Sequence, residues 1–313
     1  MAWAGRAAPR RQASSRRDDS SDCRDLDHSM KPARNRLQLQ AATGTHRGDR
    51  QYQQDRVEVF AHPRVRGAVL AVVADGMGGR SGGRMAADQV MITAQQLFER
   101  YIPATDDPAV LLKGLLQEAH SMIRLTAMSA EQEPHSTVAC ALLHAEGLCW
   151  WAHVGDSRIH LFRGGQLQRR TRDHSYVQDL IDRGELTEAM ARSHPMSNVL
   201  TASLGTAEDP PFSFESLQLQ AGDCLLLCSD GVWHYFLDPE LGATLDAMEP
   251  REACEALVNK ARLRAAGHGD NLSLAVLKLS EPPATPRPAP PRIEFPEWIE
   301  PQPPTQPVKG PRR

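Results

Sequence analysis

The sequence has 313 residues, of which 41% are hydrophobic, enough for a substantial core in one large domain or two small ones. Its formal net charge of −3 argues against nucleic acid as the main partner. No apolar run approaches the ~20 residues that a membrane span needs, and the amino terminus lacks the apolar stretch of a secretory signal. We therefore expect a cytoplasmic protein whose partners are neither nucleic acid nor a membrane.

The first segment, residues 1–36, contains the charged and serine-rich text "RRQASSRRDDSSDCRD". Its apolar surface is too small to form a core, so we predict that it is disordered. A folded domain is predicted over residues 37–280, where strand-like and helix-like text alternate.

Short runs rich in β-branched and other apolar residues predict the strands of this domain. These runs are 56–60, 67–74, 136–143, 148–154, 158–163, 212–219, 224–229 and 272–279. The pair Gly164-Gly165 predicts a tight hairpin turn after the fifth run.

Helical periodicity predicts three long helices. Two of them fill the gap between the second and third strands: one carries Ala86, Val90, Ala94, Leu97 and Phe98 on one face, and the other spans about 109–128. A third helix, with Ala253, Leu257 and Ala261 aligned, follows the seventh strand. Because the helices come in blocks and several strands are joined by hairpins, the pattern favours an α+β fold with antiparallel sheets covered by helices.

The last segment, residues 281–313, is dense in proline and favours extended polyproline conformations. One interpretation is a disordered, flexible tail. The alternative is a docking segment in which Phe295, Trp298 and Ile299 make the contacts.

The cysteines form no CxxC pair, and most of them lie inside apolar strand-like runs. This placement favours buried reduced thiols over disulfides or a thiolate metal site. They are Cys23, Cys140, Cys149, Cys224, Cys228 and Cys254.

Aspartates stand where apolar strands end or begin. A single aspartate in such a place is typical of a turn, but a recurrence at several strand ends is harder to explain by turns alone. Strand ends from two packed sheets can bring these carboxylates together, where they repel one another unless cations lie between them. Oxygen ligands of this kind suit Mg²⁺ or Mn²⁺. The aspartates are Asp55, Asp75, Asp156, Asp230 and Asp270.

The stretch "ADGMGG" places three glycines directly after one of these aspartates. If Asp75 bridges two cations, Gly76 can offer its carbonyl oxygen as a further ligand where no side chain blocks the approach, and Gly78 and Gly79 let the chain leave the crowded site. Arg50 precedes Asp55 by five residues, so that its guanidinium can reach the same cavity and receive a phosphate dianion. The alternative for Arg50 is an ordinary surface arginine.

Taken in order, the motifs resemble those of the bacterial-type metal-dependent protein phosphatases of the type 2C (PPM) family. They are an arginine followed by "QD", then "DGMGG", "ST", "HVGDSR", "RDHS", "NVLTASLG", "SDG" and "DN", spread over residues 40–279. The resemblance implies a four-layer αββα sandwich of two packed antiparallel sheets flanked by helices. It also implies hydrolysis of phosphoserine and phosphothreonine by a metal-activated water at a binuclear Mn²⁺ or Mg²⁺ site.

Residue by residue, the resemblance makes Asp75 the bridging ligand and Gly76 the backbone-carbonyl ligand. Asp230 and Asp270 match the positions that hold the first metal, and Asp156 matches that of a third, weaker metal. Asp55 matches a position that acts through metal-bound water. Arg50 matches the phosphate-binding arginine, so Arg50 and Asp75 are the predicted catalytic residues. Residues 173–205 resemble the mobile flap of bacterial members.

The sequence departs from the family pattern at several positions. Met77 replaces a histidine proposed as general acid in many eukaryotic members, which favours the bacterial branch, and Gln54 replaces a residue of the usual water network. Arg80 and Gly83 alter the text that follows "DGMGG". The bacterial branch implies phosphorylated proteins as substrates, a Ser/Thr kinase and its targets as partners, and a monomeric enzyme.

Two other functions are compatible with parts of the pattern. A non-catalytic relative that binds phosphoproteins would lack some metal-binding aspartates, whereas all of them are present here. A switch phosphatase that acts on an anti-sigma antagonist shares the chemistry, but we expect it to carry an attached sensor domain, for which this chain leaves no room.

Overall fold

The computed structural model describes residues 36–129 and 133–282. The predictions of a disordered amino-terminal segment and of a proline-rich tail therefore concern residues that lie almost entirely outside the described ranges.

The described residues form twelve strands and seven helices. The strands are β1 (Gln38–His46), β2 (Arg56–Ala61), β3 (Val69–Ala74), β4 (Gly76–Met77), β5 (His135–Ser136), β6 (Val138–Leu143), β7 (Leu148–Val154), β8 (Arg158–Arg163), β9 (Gln166–Arg170), β10 (Ser213–Gln218), β11 (Asp223–Cys228) and β12 (Leu272–Ser280). The helices are α1 (Gly79–Arg100), α2 (Pro108–Ser129), α3 (Tyr176–Asp182), α4 (Glu188–Arg192), α5 (Asp230–Trp233), α6 (Asp238–Ala247) and α7 (Pro250–Ala265).

Ten of the strands form two five-stranded sheets in which every pair of neighbours is antiparallel. The first sheet has the order β1-β12-β11-β8-β9, and the second has the order β10-β7-β6-β3-β2. The short strands β4 and β5 pair with each other. This topology confirms the predicted antiparallel sheets.

Three hydrophobic cores separate four layers. Alternate residues of β3 and β6 point outward to pack against α1 and α2, while residues of β11 and β12 pack against α6 and α7. The intervening residues of β3, β6, β11 and β12 form the core between the sheets. Because successive side chains of a strand point to opposite faces, strands buried on both faces are apolar almost throughout, as β3 is. The α+β four-layer αββα sandwich is therefore confirmed.

The predicted helical stripes lie on the buried faces. In α1, Ala86, Val90, Ala94 and Phe98 are buried against the second sheet, and Leu97 is partly buried there. Helix α2 begins at Pro108, a residue that suits the first turn of a helix because its missing N–H would have no partner there. Among the described residues, no helix combines the length and apolar character needed to cross a membrane.

Strands β1 and β9 lie where no strand is predicted. Both are edge strands of the first sheet, and β1 alternates between exposed and half-buried residues. Edge strands bury little surface and tolerate polar residues, so the text "QLQAATGTH" carries a weak apolar signal. The predicted hairpin at Gly164-Gly165 is confirmed, since both glycines have positive φ, at 53° and 71°, and join β8 to β9.

The prediction of buried reduced cysteines is confirmed for the cysteines that the structure describes. Each is a free thiol inside the core, and burial raises its pKa. They are Cys140, Cys149, Cys224, Cys228 and Cys254. Cys23 lies outside the described residues.

Candidate metal and phosphate site

The predicted aspartates meet at one end of the sandwich. Asp75, Asp156 and Asp230 follow β3, β7 and β11, whereas Asp55 and Asp270 precede β2 and β12. In antiparallel sheets the end of one strand lies beside the start of its neighbour, as the pairing of Arg56 with Ala74 illustrates. The topology thus brings residues more than 200 positions apart to one edge.

A cavity of about 560 Å³ opens at this edge. Its wall includes six of the seven predicted site residues, namely Arg50, Asp75, Gly76, Asp156, Asp230 and Asp270. Asp55 lies deeper, with 2% of its surface exposed, and its carboxylate accepts a hydrogen bond from Ser229 Oγ at 2.7 Å. Tyr52, Met77, Asn198 and Leu200 complete a rim of mixed polarity.

Hydrogen bonds to the backbone hold Asp75, whose carboxyl group contacts those of Asp55 and Asp230. Asp75 N–H donates to Thr137 Oγ1 at 3.1 Å, and Thr137 N–H donates to the Asp75 carbonyl oxygen at 2.9 Å. Ser136 Oγ donates to the same carbonyl oxygen at 3.1 Å. The "ST" motif therefore acts as a clamp on the strand end, a role that its sequence does not reveal.

Asn271 holds the segment that carries Arg50. Its side-chain oxygen accepts from Gln54 N–H at 2.7 Å, and its amide nitrogen donates to the carbonyl oxygens of Arg47 and Tyr52 at 2.8 and 3.0 Å. In the sequence "DN" is only a family motif, and this role of Asn271 was not predicted. An asparagine next to a site aspartate is the only local signal.

Arg50 reaches the site, as predicted. Its Nη2 donates to Asp270 Oδ2 at 2.6 Å, while 63% of the Arg50 side chain and 41% of the Asp270 side chain remain exposed. The contact uses part of the guanidinium, so other N–H groups of Arg50 remain free to meet a ligand in the cavity.

A buried ion pair packs against Trp233, which in turn holds the backbone of Asp156. Arg158 donates to both carboxylate oxygens of Asp173, at 2.9 and 2.7 Å, and its guanidinium lies 3.5 Å from the ring centroid of Trp233. Trp233 Nε1 in turn donates to the Asp156 carbonyl oxygen at 2.9 Å. Asp173 is also the first residue of the predicted flap, so this network connects the flap to the site.

The predicted flap, residues 173–205, contains α3 and α4. A β-bridge between Ser175 and Leu200 joins its two ends. From the second end, Asn198 and Leu200 project onto the cavity wall. The segment therefore forms part of the cavity wall.

The structure gives a second reason for glycine at position 76. A Cβ on Gly76 would overlap the backbone carbonyl of Gly83 in the first turns of α1, and a Cβ on Gly83 would overlap the carbonyl oxygen of Gly76. The pair therefore allows two backbones to pack closely, a reason for glycine that the sequence did not indicate, while the predicted ligand role of the Gly76 carbonyl stays a prediction. Gly78, with φ of 119°, makes the turn into α1 as expected.

The convergence of carboxylates changes their protonation. Removal from water, followed by the charges of neighbouring carboxylates, raises the pKa of Asp75 well above its usual value. The same causes raise the pKa of Asp55 to about 7 and that of Asp230 to about 6. Removal from water and the nearby Asp230 also raise the pKa of Asp156. A cation between these groups would relieve the repulsion.

The described part of the chain contains no group of three or more His, Cys, Asp or Glu side chains already arranged to hold a metal ion. The Asp270 carboxylate is turned toward Arg50, and the predicted ligands include a backbone oxygen and a carboxylate that acts through water. The donors are all oxygen atoms, and their mutual repulsion favours a hard divalent cation, so the residues fit Mg²⁺ or Mn²⁺.

Comparison with known proteins agrees with this geometry. Residues 43–265 match the family model described as "Protein phosphatase 2C". The serine/threonine protein phosphatase PstP of Mycobacterium tuberculosis is 33% identical over 210 residues, which cover 67% of this chain and 40% of that protein. The protein phosphatase PhpP of Streptococcus pneumoniae is 29% identical over 217 residues, covering 69% of this chain and 87% of that protein.

Solved structures show the same fold. The crystal structure of the M. tuberculosis phosphatase PstP/Ppp aligns with a TM-score of 0.68 and 28% identity, covering 78% of this chain and 100% of that one. The catalytic domain of PstP in complex with two manganese ions aligns with a TM-score of 0.66 and 29% identity over the same shares. The present chain spans 40% of the length of full PstP. On the family match and the shared fold, the chain belongs to the protein phosphatase 2C family.

Proposed function

We propose that this protein is a metal-dependent serine/threonine protein phosphatase that hydrolyses phosphoserine and phosphothreonine in other proteins. The observation that carries the proposal is the meeting of four aspartates and one arginine around a single open cavity, with a fifth aspartate, Asp55, buried behind its wall. The relatives named as serine/threonine phosphatases support it, as does the PstP structure with two manganese ions.

In this proposal Asp75 would hold ions of Mn²⁺ or Mg²⁺ together with the Gly76 carbonyl oxygen. Asp230 and Asp270 would hold the first ion, Asp55 would act through water, and Asp156 would serve a third, weaker ion. When bound, such ions lower the pKa of coordinated water and neutralise charge on phosphoryl oxygens.

The chain's own residues would supply binding and orientation. Arg50 lies at the open side of the cavity and offers a planar set of donors to a phosphate dianion. Asn271 and the Ser136-Thr137 clamp hold Arg50 and Asp75 in place. Residues 173–205 would act as a flap through Asn198 and Leu200, which line the cavity that the substrate would enter. In the first turns after Asp75, Met77 provides no acid, so protonation of the leaving group is left to water.

The substrates would be phosphorylated proteins, and a bacterial Ser/Thr kinase and its targets are the proposed partners of a monomeric enzyme. A cytoplasmic location is part of the proposal. It is supported by the five cysteines that the structure describes, which are buried free thiols, as is typical of reducing compartments.

Phosphate release from a phosphothreonine peptide tests the reaction. We expect chelator to abolish release, Mn²⁺ or Mg²⁺ to restore it, and a phosphotyrosine peptide to be the poorer substrate. Full activity in metal-free buffer would contradict the proposal.

Asp75→Asn tests the shared ligand. The backbone of Asp75, not its carboxylate, makes the clamp hydrogen bonds, so the fold should persist. We expect turnover to fall by at least ~10²-fold, comparable to removal of one electrostatic stabiliser. Asp246→Asn, on the exposed surface of α6, is the matched control and should be unchanged. Near-normal turnover of Asp75→Asn would mean that Asp75 is only a turn residue.

A further inference from the structure

A second cavity, of about 700 Å³, opens at the end of the sandwich opposite the aspartates. Strand β3 runs from this cavity, at Val69, to the site, at Ala74, a distance of about 17 Å at 3.3–3.4 Å per residue. Leu39, Leu143 and Leu279 also line the cavity, and Arg36 and Arg66 are at its rim. We refer to it as the distal groove.

The floor of the distal groove is the core between the sheets. Leu143 and Leu279 belong to that core and are 3% and 5% exposed, whereas Leu39 and Val69 pack against it and are only half-buried. Within residues 36–129 and 133–282, Leu37, Leu39 and Val69 pack over this end of the core, and each remains partly exposed to the groove. Apolar surface at the open end of a core is stabilised when another apolar group covers it.

We propose that residues 293–300 of this chain, "IEFPEWIE", dock in the distal groove. The segment carries Ile293, Phe295, Trp298 and Ile299, and an aromatic side chain can bury 150–250 Å² in such a groove. Its charged residues, Glu294, Glu297 and Glu300, are all acidic, and they complement Arg36 and Arg66.

The last described residues of the chain lie at the distal groove. Pro282 lines the distal groove itself, and eleven residues later comes Ile293. A proline-rich stretch of that length reaches about 34 Å at 3.1 Å per residue, more than enough to return to the groove. Tethering makes docking intramolecular, so modest contacts suffice.

Residues 1–35 are the competing segment, because Arg36 also lines the groove. They carry eight basic and five acidic residues and one aromatic residue, Trp3. A net basic segment is repelled by Arg36 and Arg66, so the acidic, aromatic segment is the better match.

Hydrogen exchange of the full chain tests the proposal without relying on catalysis. In a variant carrying Phe295→Ala and Trp298→Ala, we expect backbone amides of residues 36–39 and 143–146 to exchange at least about tenfold faster. Trp3→Ala, which removes the other terminal tryptophan, should leave both regions unchanged. The exchange rates around Asp75 should be the same in all three proteins.

Charge reversal at the rim of the distal groove provides a second test by hydrogen exchange. Arg66→Glu should also speed exchange in residues 36–39 and 143–146, whereas Arg251→Glu, an 87% exposed arginine on α7, should not. Any of four outcomes would overturn the proposal: no change in the double variant, equal effects of Arg66→Glu and Arg251→Glu, faster exchange in Trp3→Ala, or protection that depends on protein concentration. The last would point to a second copy as the occupant.

Discussion

Arg50 and Asp270 form an ion pair, although the proposed function gives them different ligands. Arg50 would bind phosphate and Asp270 would bind a cation, yet the two contact each other at 2.6 Å. Both side chains are well exposed, and exposed pairs contribute at most about 1 kcal/mol. The contact can therefore be exchanged for ligand contacts at little cost.

Arg50→Ala separates phosphate binding from chemistry. If the guanidinium holds phosphate equally in the ground and transition states, KM rises while kcat is nearly preserved; a tighter grip on the transferring phosphoryl group lowers kcat as well. We expect a mixed result dominated by KM, measured by steady-state kinetics on a phosphothreonine peptide.

Arg50→Lys is the conservative comparison for the same measurement. Lysine keeps the charge but loses the planar fork, so it should recover only part of the binding. Unchanged KM and kcat in Arg50→Ala would mean that Arg50 is an ordinary surface arginine that does not bind the phosphate.

At the level of elements, the start of α1 is pressed against β4. The contact between Gly76 and Gly83 allows the two backbones to approach, which places the carbonyl groups after Asp75 beside the cavity. The position of the helix and that of a proposed ligand are therefore linked.

Gly83→Ala tests this link. Its new methyl group would overlap the Gly76 carbonyl oxygen, so β4 or α1 must shift, and we expect a loss of about 1–3 kcal/mol in stability together with reduced turnover. Gly114→Ala in α2 is the matched control. Its Cβ would lie 3.9 Å from Leu97, and we expect a gain of roughly 0.5–1 kcal/mol from helix propensity.

Thermal unfolding and turnover of the two variants provide the measurement. If Gly83→Ala behaved like Gly114→Ala, the close packing of the two backbones would have no role in holding the site.

For the whole molecule, the clustered aspartates predict how pH acts on the metal-free protein. Removal from water and neighbouring charges raise the pKa values of Asp55 and Asp230 from 3.8 to about 7 and about 6. The folded state then binds more protons than the unfolded chain, so the free energy of unfolding falls as pH rises from about 4 to about 7.

Divalent cations should reverse this loss, because they bind the ionised carboxylates of the folded state. We expect Mn²⁺ to raise the melting temperature more above pH 7 than at about pH 5, where protons compete with the ion. Differential scanning calorimetry with and without chelator checks this. Equal shifts at both pH values would contradict it.

Removal of the terminal segments is the other prediction at this scale. A chain of residues 30–282 should hydrolyse a small aryl phosphate at an unchanged rate, because the distal groove and the site lie at opposite ends of β3. If residues 293–300 cover the groove, the melting temperature of the shortened chain should be lower than that of the full chain. A loss of turnover would mean that a terminal segment contributes to the site.

Local patterns in the sequence were sufficient to predict the three longest helices, α1, α2 and α7, most strands and the aspartates at strand ends. The stripe of α1 and the apolar run of β3 depend on side chains near one another in the chain, and so do the turns that end them. The resemblance of the ordered motifs then indicated the αββα arrangement and the candidate site.

The tertiary structure alone decided how the site is held together. Asn271 bonds to Gln54 across 217 positions, and Ser229 bonds to Asp55 across 174. Such contacts produce no periodic pattern in the sequence, since they depend on which strand ends meet in the folded protein. The edge strands β1 and β9 were also not predicted. They bury little surface of their own, and their place in the sheet is specified by the neighbouring strands with which they pair.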